Sequence, residues 1–446
     1  MEMKKRSEDV SRQSIKVAVI GGGSSYTPEF IDGLIQNYSE FPVKEVVLVD
    51  VDEGKSKLET VTALAQRMVA TAGVPIQISS TLNRREAILG ADFVTTQLRV
   101  GQLQARVIDE QIPLRYGCIG QETTGAGGFS NALRTIPVIL DVCADIEELA
   151  PEAFLLNFTN PAGIVTQAVQ QYTNVKCIGL CNLPINTQMQ IAKMLNVKPE
   201  EVNTETIGIN HLHWITKVLV QGVDRTQDIL NLLSTGTDGD VANIPDLAWD
   251  QELLQSLGAI PCSYLRYYYM ADEVLVELQK DYESTGTRGQ VVQKIERELF
   301  ERYQDENLTE KPKELEQRGG AYYSLVAVNL MTSIHQNRRD IQTVNVQNNG
   351  VIPFLPDDST VEVNCVIDSG GAHPVQLSQP VSPAIRGLLQ VVKAYEDLTV
   401  QAAVTGDTTS ALNALTIHPL VPSFAVAKKL LQALLDAHGQ WLQQFQ

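Results

Sequence analysis

The sequence predicts an α/β protein: a Rossmann-type, doubly wound parallel sheet followed by a C-terminal mixed α+β domain. Three observations carry that expectation. The run Lys16-Val17-Ala18-Val19-Ile20 leads into Gly21-Gly22-Gly23-Ser24-Ser25-Tyr26-Thr27-Pro28, a buried strand that ends in glycines and opens a helix. A second apolar strand, Glu45-Val46-Val47-Leu48-Val49, ends in the carboxylate of Asp50. Strand-like runs at 16–20, 45–49, 75–79, 92–97, 153–157 and 176–180 then alternate with stretches of helical apolar spacing such as Val61 to Met68.

Each element has its own reason. The glycine turn aims backbone N–H groups and a helix N-terminus at a diphosphate, with Gly21, Gly23, Ser24 and Ser25 as the contacts. An acidic residue at Asp50 accepts hydrogen bonds from an adenosine ribose and favours NAD over NADP. The usual third glycine is missing, with Tyr26-Thr27 in its neighbourhood. A plain strand–turn–helix or another phosphate ligand fits the same loop. Beyond residue 200 the pattern changes. A strand is expected at 214–221 and helices at 262–280, 289–304, 321–336, 383–402 and 425–445. An irregular loop or lid is expected at 221–250, and short strands broken by Gly and Pro at 343–381. The expected divisions are a mobile extension over 1–14, a nucleotide-binding domain over 15–185, and a metal, substrate and oligomerisation domain over 186–446.

Composition narrows the function classes. The chain has 446 residues, enough for two cores, and a net charge of −18 from 35 basic and 53 acidic residues. That balance argues against nucleic acid, which needs clustered Lys and Arg. No apolar run is long enough to span a bilayer. The charged N-terminus is followed by no apolar h-region, so a cytoplasmic protein is expected. Six scattered cysteines give no disulfide framework; each is a buried small side chain, or one is a ligand or nucleophile.

Four segments are rich in polar residues and glycine. Arg99, Arg106, Arg115 and Arg134 flank Gly120-Gln121-Glu122-Thr123-Thr124-Gly125-Ala126-Gly127-Gly128, which reads either as an anion-binding loop approached closely by backbone or as a mobile loop with solvated arginines. Asn157-Phe158-Thr159-Asn160-Pro161 follows a strand; its amides suit sugar hydroxyls, and an ordinary Asn-Pro turn is the alternative. Cys181-Asn182-Leu183-Pro184 and Asn210-His211-Leu212-His213 supply a thiol and an imidazole, a possible divalent-metal pair or simply a buried Cys and a packed His. In Pro261-Cys262-Ser263-Tyr264-Leu265-Arg266-Tyr267-Tyr268-Tyr269 the last three tyrosines read as helix core, while Tyr264 lies in a first turn where a phenol can reach a cleft. Arg288 follows Thr285-Gly286-Thr287 at another loop-to-helix junction.

Together these segments resemble glycoside hydrolase family 4, the NAD- and metal-dependent glycosidases, and within it the 6-phospho-β-glucosidase branch. The resemblance runs from Lys16 to about residue 430 and rests on residues 21–28, 120–123, 160–161, 181–184, 210–211 and 261–268. It implies metal ligation, usually of manganese, by Cys181 and His211. It also implies Tyr264 as catalytic base with Glu122 raising its basicity, and substrate contacts at Arg106, Asn160, Asn182 and Arg288. Asn182 stands where the α-glucosidase branch carries an Asp, and an amide is no general acid.

The implied reaction oxidises the sugar C3 with NAD, removes the C2 proton, eliminates the group at C1, adds water and re-reduces C3. This needs no pair of carboxylates. The implied substrate is a phosphorylated disaccharide or an aryl 6-phospho-β-glucoside, and the implied assembly a homodimer or homotetramer, with the apolar helix from Val426 to Leu442 as a candidate interface. The alternatives are an α-glucosidase or other family 4 glycosidase, and a lactate/malate-type NAD dehydrogenase, whose His–Asp relay is not found in the sequence.

Overall fold

The computed structural model describes residues 14–233, 244–245, 247–318 and 322–446. The expected N-terminal extension, apart from Ser14, and part of the expected lid lie outside the described residues. Six strands pair in parallel: β1 (Ile15–Ile20), β2 (Val43–Val49), β3 (Gln77–Thr81), β4 (Phe93–Thr96), β5 (Phe154–Asn157) and β6 (Lys176–Gly179), of which β3 alone is mostly polar and exposed. Their order across the sheet is β3-β2-β1-β4-β5-β6. The connecting helices are α1 (Thr27–Gln36), α2 (Lys55–Ala72), α3 (Arg84–Ile88), α4 (Gln102–Arg115), α5 (Gly125–Leu149) and α6 (Ala162–Tyr172). β4 and β5 are buried along their whole length, as expected of strands covered on both faces.

The second half contains α7 (Leu183–Leu195), β7 (Val202–Ile209), β8 (Leu212–Val220), β9 (Val223–Asp224), α8 (Thr226–Leu233), α9 (Gln251–Leu257), β10 (Ile260–Pro261), α10 (Arg266–Tyr269), α11 (Ala271–Ser284), α12 (Arg288–Tyr303) and α13 (Tyr323–Gln336). It ends with β11 (Asp340–Gln347), β12 (Thr360–Asp368), β13 (Gly371–Pro374), α14 (Pro383–Thr405), α15 (Thr408–Ile417) and α16 (Phe424–His438). β7 to β10 form a small antiparallel sheet. β11, β12 and β13 instead extend the first sheet antiparallel beyond β6, making nine strands. The broken runs of 343–381 are strands, but their pairing partner was not legible. Without them β6 would present an open edge.

Two expected helices are interrupted. The stretch 262–280 is a 3₁₀ turn (Ser263–Leu265), then α10, then α11, with the break at Met270, where φ is −133° and ψ 40°. The expected 425–445 helix stops at His438 and continues as short 3₁₀ turns. The apolar face of α16, with Ala427, Leu430, Leu431 and Leu434, is buried within the chain. It is therefore already occupied, which removes that face as the expected subunit interface.

One register row positions the site. At the carboxyl ends of the parallel strands, Ile20, Thr96, Asn157 and Gly179 lie side by side and continue into Asn345 and Glu362. Two pairs of its polar members bond across the sheet: Thr96 Oγ1 donates to Asn157 Oδ1 (2.9 Å) and Asn345 Nδ2 to Glu362 Oε1 (2.9 Å). The loops that leave this row line a single cleft of about 1400 Å³, where an open α/β sheet binds its ligands.

Candidate active site

At one end of the cleft, the amides of Gly21 and Gly22 both donate to Val49 O (2.9 and 2.7 Å), and that of Gly23 donates to Asp50 Oδ2 (2.9 Å). These amides hold the loop's own turn rather than pointing at a ligand, as the sequence suggested. The loop's glycines are required by close packing on the protein side, as at Gly127. A Cβ at Gly21 would lie 2.8 Å from Leu98 N, one at Gly22 2.7 Å from Leu48 Cβ, and one at Gly23 2.6 Å from Asp50 Oδ2. Gly21, Gly23, Ser24 and Asp50 line the cleft. Ser25 is not among the lining residues: it is fully buried, with its hydroxyl 3.4 Å from Glu296 and its carbonyl accepting from Tyr303. Burial raises the Asp50 carboxyl above its ordinary value, against the lowering effect of the Val51 and Gly23 amides. Each oxygen accepts one backbone bond and keeps a lone pair for a ribose hydroxyl.

At the other end, Glu122, Asn160, Cys181, Asn182, His211 and Tyr264 line the same cleft. Cys181 follows β6, and its Sγ accepts the Leu183 N–H (3.4 Å) at the start of α7. The helix terminus favours a thiolate, but burial, with Glu362 adding to it, pushes the thiol well up. His211 sits in the two-residue turn between β7 and β8 at φ +62°, a left-handed conformation uncommon for a non-glycine residue. Its Nδ1 is 3.0 Å from Thr123 Oγ1. That hydroxyl donates to Gln121 Oε1 (2.8 Å), so the network assigns the proton of the pair to His211 Nδ1 and leaves Nε2 as a lone-pair donor. Burial lowers the imidazole to about 4, so it is neutral near pH 7.

The Tyr264 ring stacks on His211, with centroids 3.9 Å apart and planes at 15°. Burial pushes its phenol well up; Glu122 and Cys181 add to this, and Thr123 and Arg106 oppose it. Glu122 is itself clamped, 2.6 Å from Arg99 and 2.8 Å from Arg106. Burial would raise its carboxyl, but Arg106, Arg99 and Arg318 together hold it below the usual carboxylate range.

The expected arginines separate. Arg99 and Arg106 line the cleft. Arg115 is exposed elsewhere, and Arg134 is sealed on Asp109 (2.6 Å). Arg288 does not line the cleft: its Nη2 donates to the carbonyls of Gln317 (3.2 Å) and Arg318 (3.4 Å), which steadies the turn carrying Arg318. Arg318 lies over the Tyr26 ring, 4.8 Å from its centroid, and does line the cleft. Gly127 shows a further difference, since a Cβ there would lie 2.2 Å from Gln121 O. The glycine-rich loop serves packing against its own backbone rather than against a ligand.

The sequence reading missed Arg318 and Glu362. Glu362, fully buried on β12, is 2.6 Å from His213 Nδ1 and accepts from Asn210 (3.2 Å) and Asn345 (2.9 Å). Burial raises its carboxyl, but His213, His211 and Asn210 outweigh this and keep it low. A buried anion thus stands behind Cys181 and His211. The one available signal was a lone charge inside the apolar run Val361-Glu362-Val363.

The residues fit a dinucleotide and a cation in complementary ways. Gly21 and Gly23 leave bare backbone in the cleft wall, where a phosphate chain can lie close. A sulfur and a neutral imidazole nitrogen suit a transition-metal dication. Among the described residues no three or more His, Cys, Asp or Glu side chains form a complete metal site, so substrate or water oxygens would fill the remaining positions.

Strand order, glycine loop and cleft define an α/β protein of the Rossmann class. Residues 16–197 match the model for family 4 glycosyl hydrolases and residues 206–421 that for the C-terminal domain of the same family. The chain belongs to family 4 of the glycosyl hydrolases. It is 50% identical over 436 residues to a probable 6-phospho-β-glucosidase of Bacillus subtilis (strain 168), covering 97% of this chain and 98% of that protein. The 6-phospho-β-glucosidase of Thermotoga maritima, in a structure with NAD and glucose-6-phosphate, superposes with a TM-score of 0.88 at 37% identity, covering 96% of this chain and 99% of that one. A second structure of that enzyme, with manganese, NAD+ and glucose-6-phosphate, gives a TM-score of 0.86 at 36% identity with the same coverage.

Proposed function

We propose that this chain is an NAD- and manganese-dependent 6-phospho-β-glucosidase. The observation that carries the reading is the continuity of one cleft from the glycine loop to the stacked His211–Tyr264 pair beside Cys181. Cys181 Sγ and His211 Nε2 would hold the cation; the glycine loop and Asp50 would hold the dinucleotide. When bound, the two supply reversible hydride exchange at the sugar C3 and polarisation of the oxygen on that carbon.

The chain's own residues do the rest. Tyr264 removes the proton from C2, which is acidic once its neighbour is a ketone; it acts as the phenolate, a form that burial disfavours and that a cation held beside it would favour. The group at C1 then leaves with its bonding electrons, water adds its oxygen at C1 and gives up a proton that neutralises the departed group, and Tyr264 returns a proton to C2. Arg99, Arg106 and Arg318 attract the substrate's phosphate, offsetting the chain's overall negative charge. Asn160 and Asn182 present amides to sugar hydroxyls, and Asn182 donates no proton to the leaving group. The phosphorylated sugar, which does not cross membranes unaided, supports a cytoplasmic site of action, and we propose a homodimer or homotetramer as the working form.

Incubation with NAD+, Mn2+ and 4-nitrophenyl β-glucoside 6-phosphate under reducing conditions tests the reading. Release of nitrophenol without net NADH supports it. No release, or accumulation of NADH with a hydroxy acid, contradicts it.

A further inference from the structure

Residues 422–446 follow the segment matched by the family's C-terminal domain, and they return to the cleft. His438 Nε2 lies 3.0 Å from Asp109 Oδ1, Asp109 is paired with Arg134, and all three are fully buried. Further on, Gln444 donates to Leu133 O (3.0 Å) and Ala403 O (3.3 Å). Between these two anchors the turn Gly439–Trp441 places Gln440 and Trp441 in the cleft wall.

The position of Trp441 along the cleft follows from its neighbour. Its indole packs on Gly101, where a Cβ would lie 3.0 Å from Trp441 Cη2. Gly101 ends the loop that leaves β4, and the start of that loop lies directly over Gly21 of the glycine turn, with Leu98 N 2.8 Å from a Cβ built there. The cleft beyond the glycine turn also has apolar lining from Val51, Val138 and Val142. Tyr264, His211 and Cys181 line the same cleft from other elements. Trp214 and Trp249 are buried and do not line the cleft. Trp441 is half-buried, held by two anchors with its ring in the wall.

We propose that Trp441 is a binding residue for the adenine base of the dinucleotide, its indole forming one face of the adenosine end of the cleft. A flat purine on an apolar floor is the occupant whose chemistry matches an indole wall on the loop that covers the glycine turn. The inference rests on the dinucleotide reading above.

The full chain carries its own probe, because Trp441 is the one indole of the three that lines the cleft. NAD+ and AMP are each expected to quench its fluorescence, and glucose 6-phosphate is not. Trp441→Leu is expected to abolish the quench and to weaken NAD+ binding, read by calorimetry, about tenfold. Glucose 6-phosphate affinity should stay within about twofold on the same scale. Trp441→Phe keeps a ring and should retain most of the NAD+ affinity, which separates a lost contact from a damaged fold. Quenching by glucose 6-phosphate but not by AMP overturns the proposal, as does unchanged NAD+ affinity in Trp441→Leu. Absence of NAD+ binding to the wild-type chain overturns the dinucleotide reading itself, and this proposal with it.

Discussion

Replacing Glu122 by Gln keeps the side-chain shape and removes the buried charge that two guanidinium groups share. Oε1 is 2.8 Å from Arg106 and Oε2 2.6 Å from Arg99, and both Glu122 and Arg106 are almost inaccessible to water. At an effective dielectric constant of about 20, each such pair is worth about 4 kcal/mol of attraction. Desolvation of the carboxylate offsets part of that sum. Removing one partner of a buried ion pair costs about 3–5 kcal/mol, because the cations left behind remain desolvated. A loss of that size is expected for Glu122→Gln at pH 7, measured by denaturant unfolding of the ligand-free protein. The pH dependence has a definite sign. The folded-state pKa of Glu122 lies below its unfolded value, so its contribution is fully present above about pH 4.5 and is lost as pH falls through the folded value. The gap between wild type and variant should therefore be constant near neutrality and close in acid. A gap below about 1 kcal/mol at pH 7, or one that does not close in acid, would refute the reasoning.

Tyr264→Phe keeps the ring that stacks on His211, so the fold should survive while turnover falls by about 10²- to 10⁴-fold; loss of less than tenfold would remove Tyr264 as the base. Manganese affinity should rise with pH through neutrality, because burial keeps the Cys181 thiol protonated and binding must release that proton. Calorimetry in buffers of different ionisation enthalpy reads the proton, and a pH-independent affinity would exclude thiolate ligation. Gly23→Ala should weaken NAD+ binding at least tenfold, since its Cβ would sit 2.6 Å from Asp50 Oδ2 and force that carboxylate aside.

Most of the parallel half of the sheet was legible because strands such as β1 and β2 are apolar runs that end in turn residues, and the run ending at Asp50 is one of them. The last three strands were visible as strands only. Pairing of Gly179 with Asn345 joins segments 166 residues apart, and no local pattern encodes such a contact. The same distance rule divides the site. Cys181, His211 and Tyr264 stood out because each lies beside unusual local chemistry, and the family resemblance linked them. Glu362 and Arg318 act from an ordinary strand and an ordinary turn, so their roles emerge only when the chain is folded. Arg288 shows the converse: its loop-to-helix junction was correctly read, but its guanidinium is used by the backbone of Gln317 and Arg318. The interrupted helix at Met270 was hidden because apolar spacing continues across the break.

The central claim is that a phenol beside a neutral imidazole removes a proton from a sugar carbon next to one that is transiently oxidised. Hydrolysis of 4-nitrophenyl β-glucoside 6-phosphate in D2O with NAD+ and Mn2+, followed by NMR of the glucose 6-phosphate, tests it most directly. The account expects deuterium at C2 of the product; complete turnover with protium at C2 in every product molecule would contradict it.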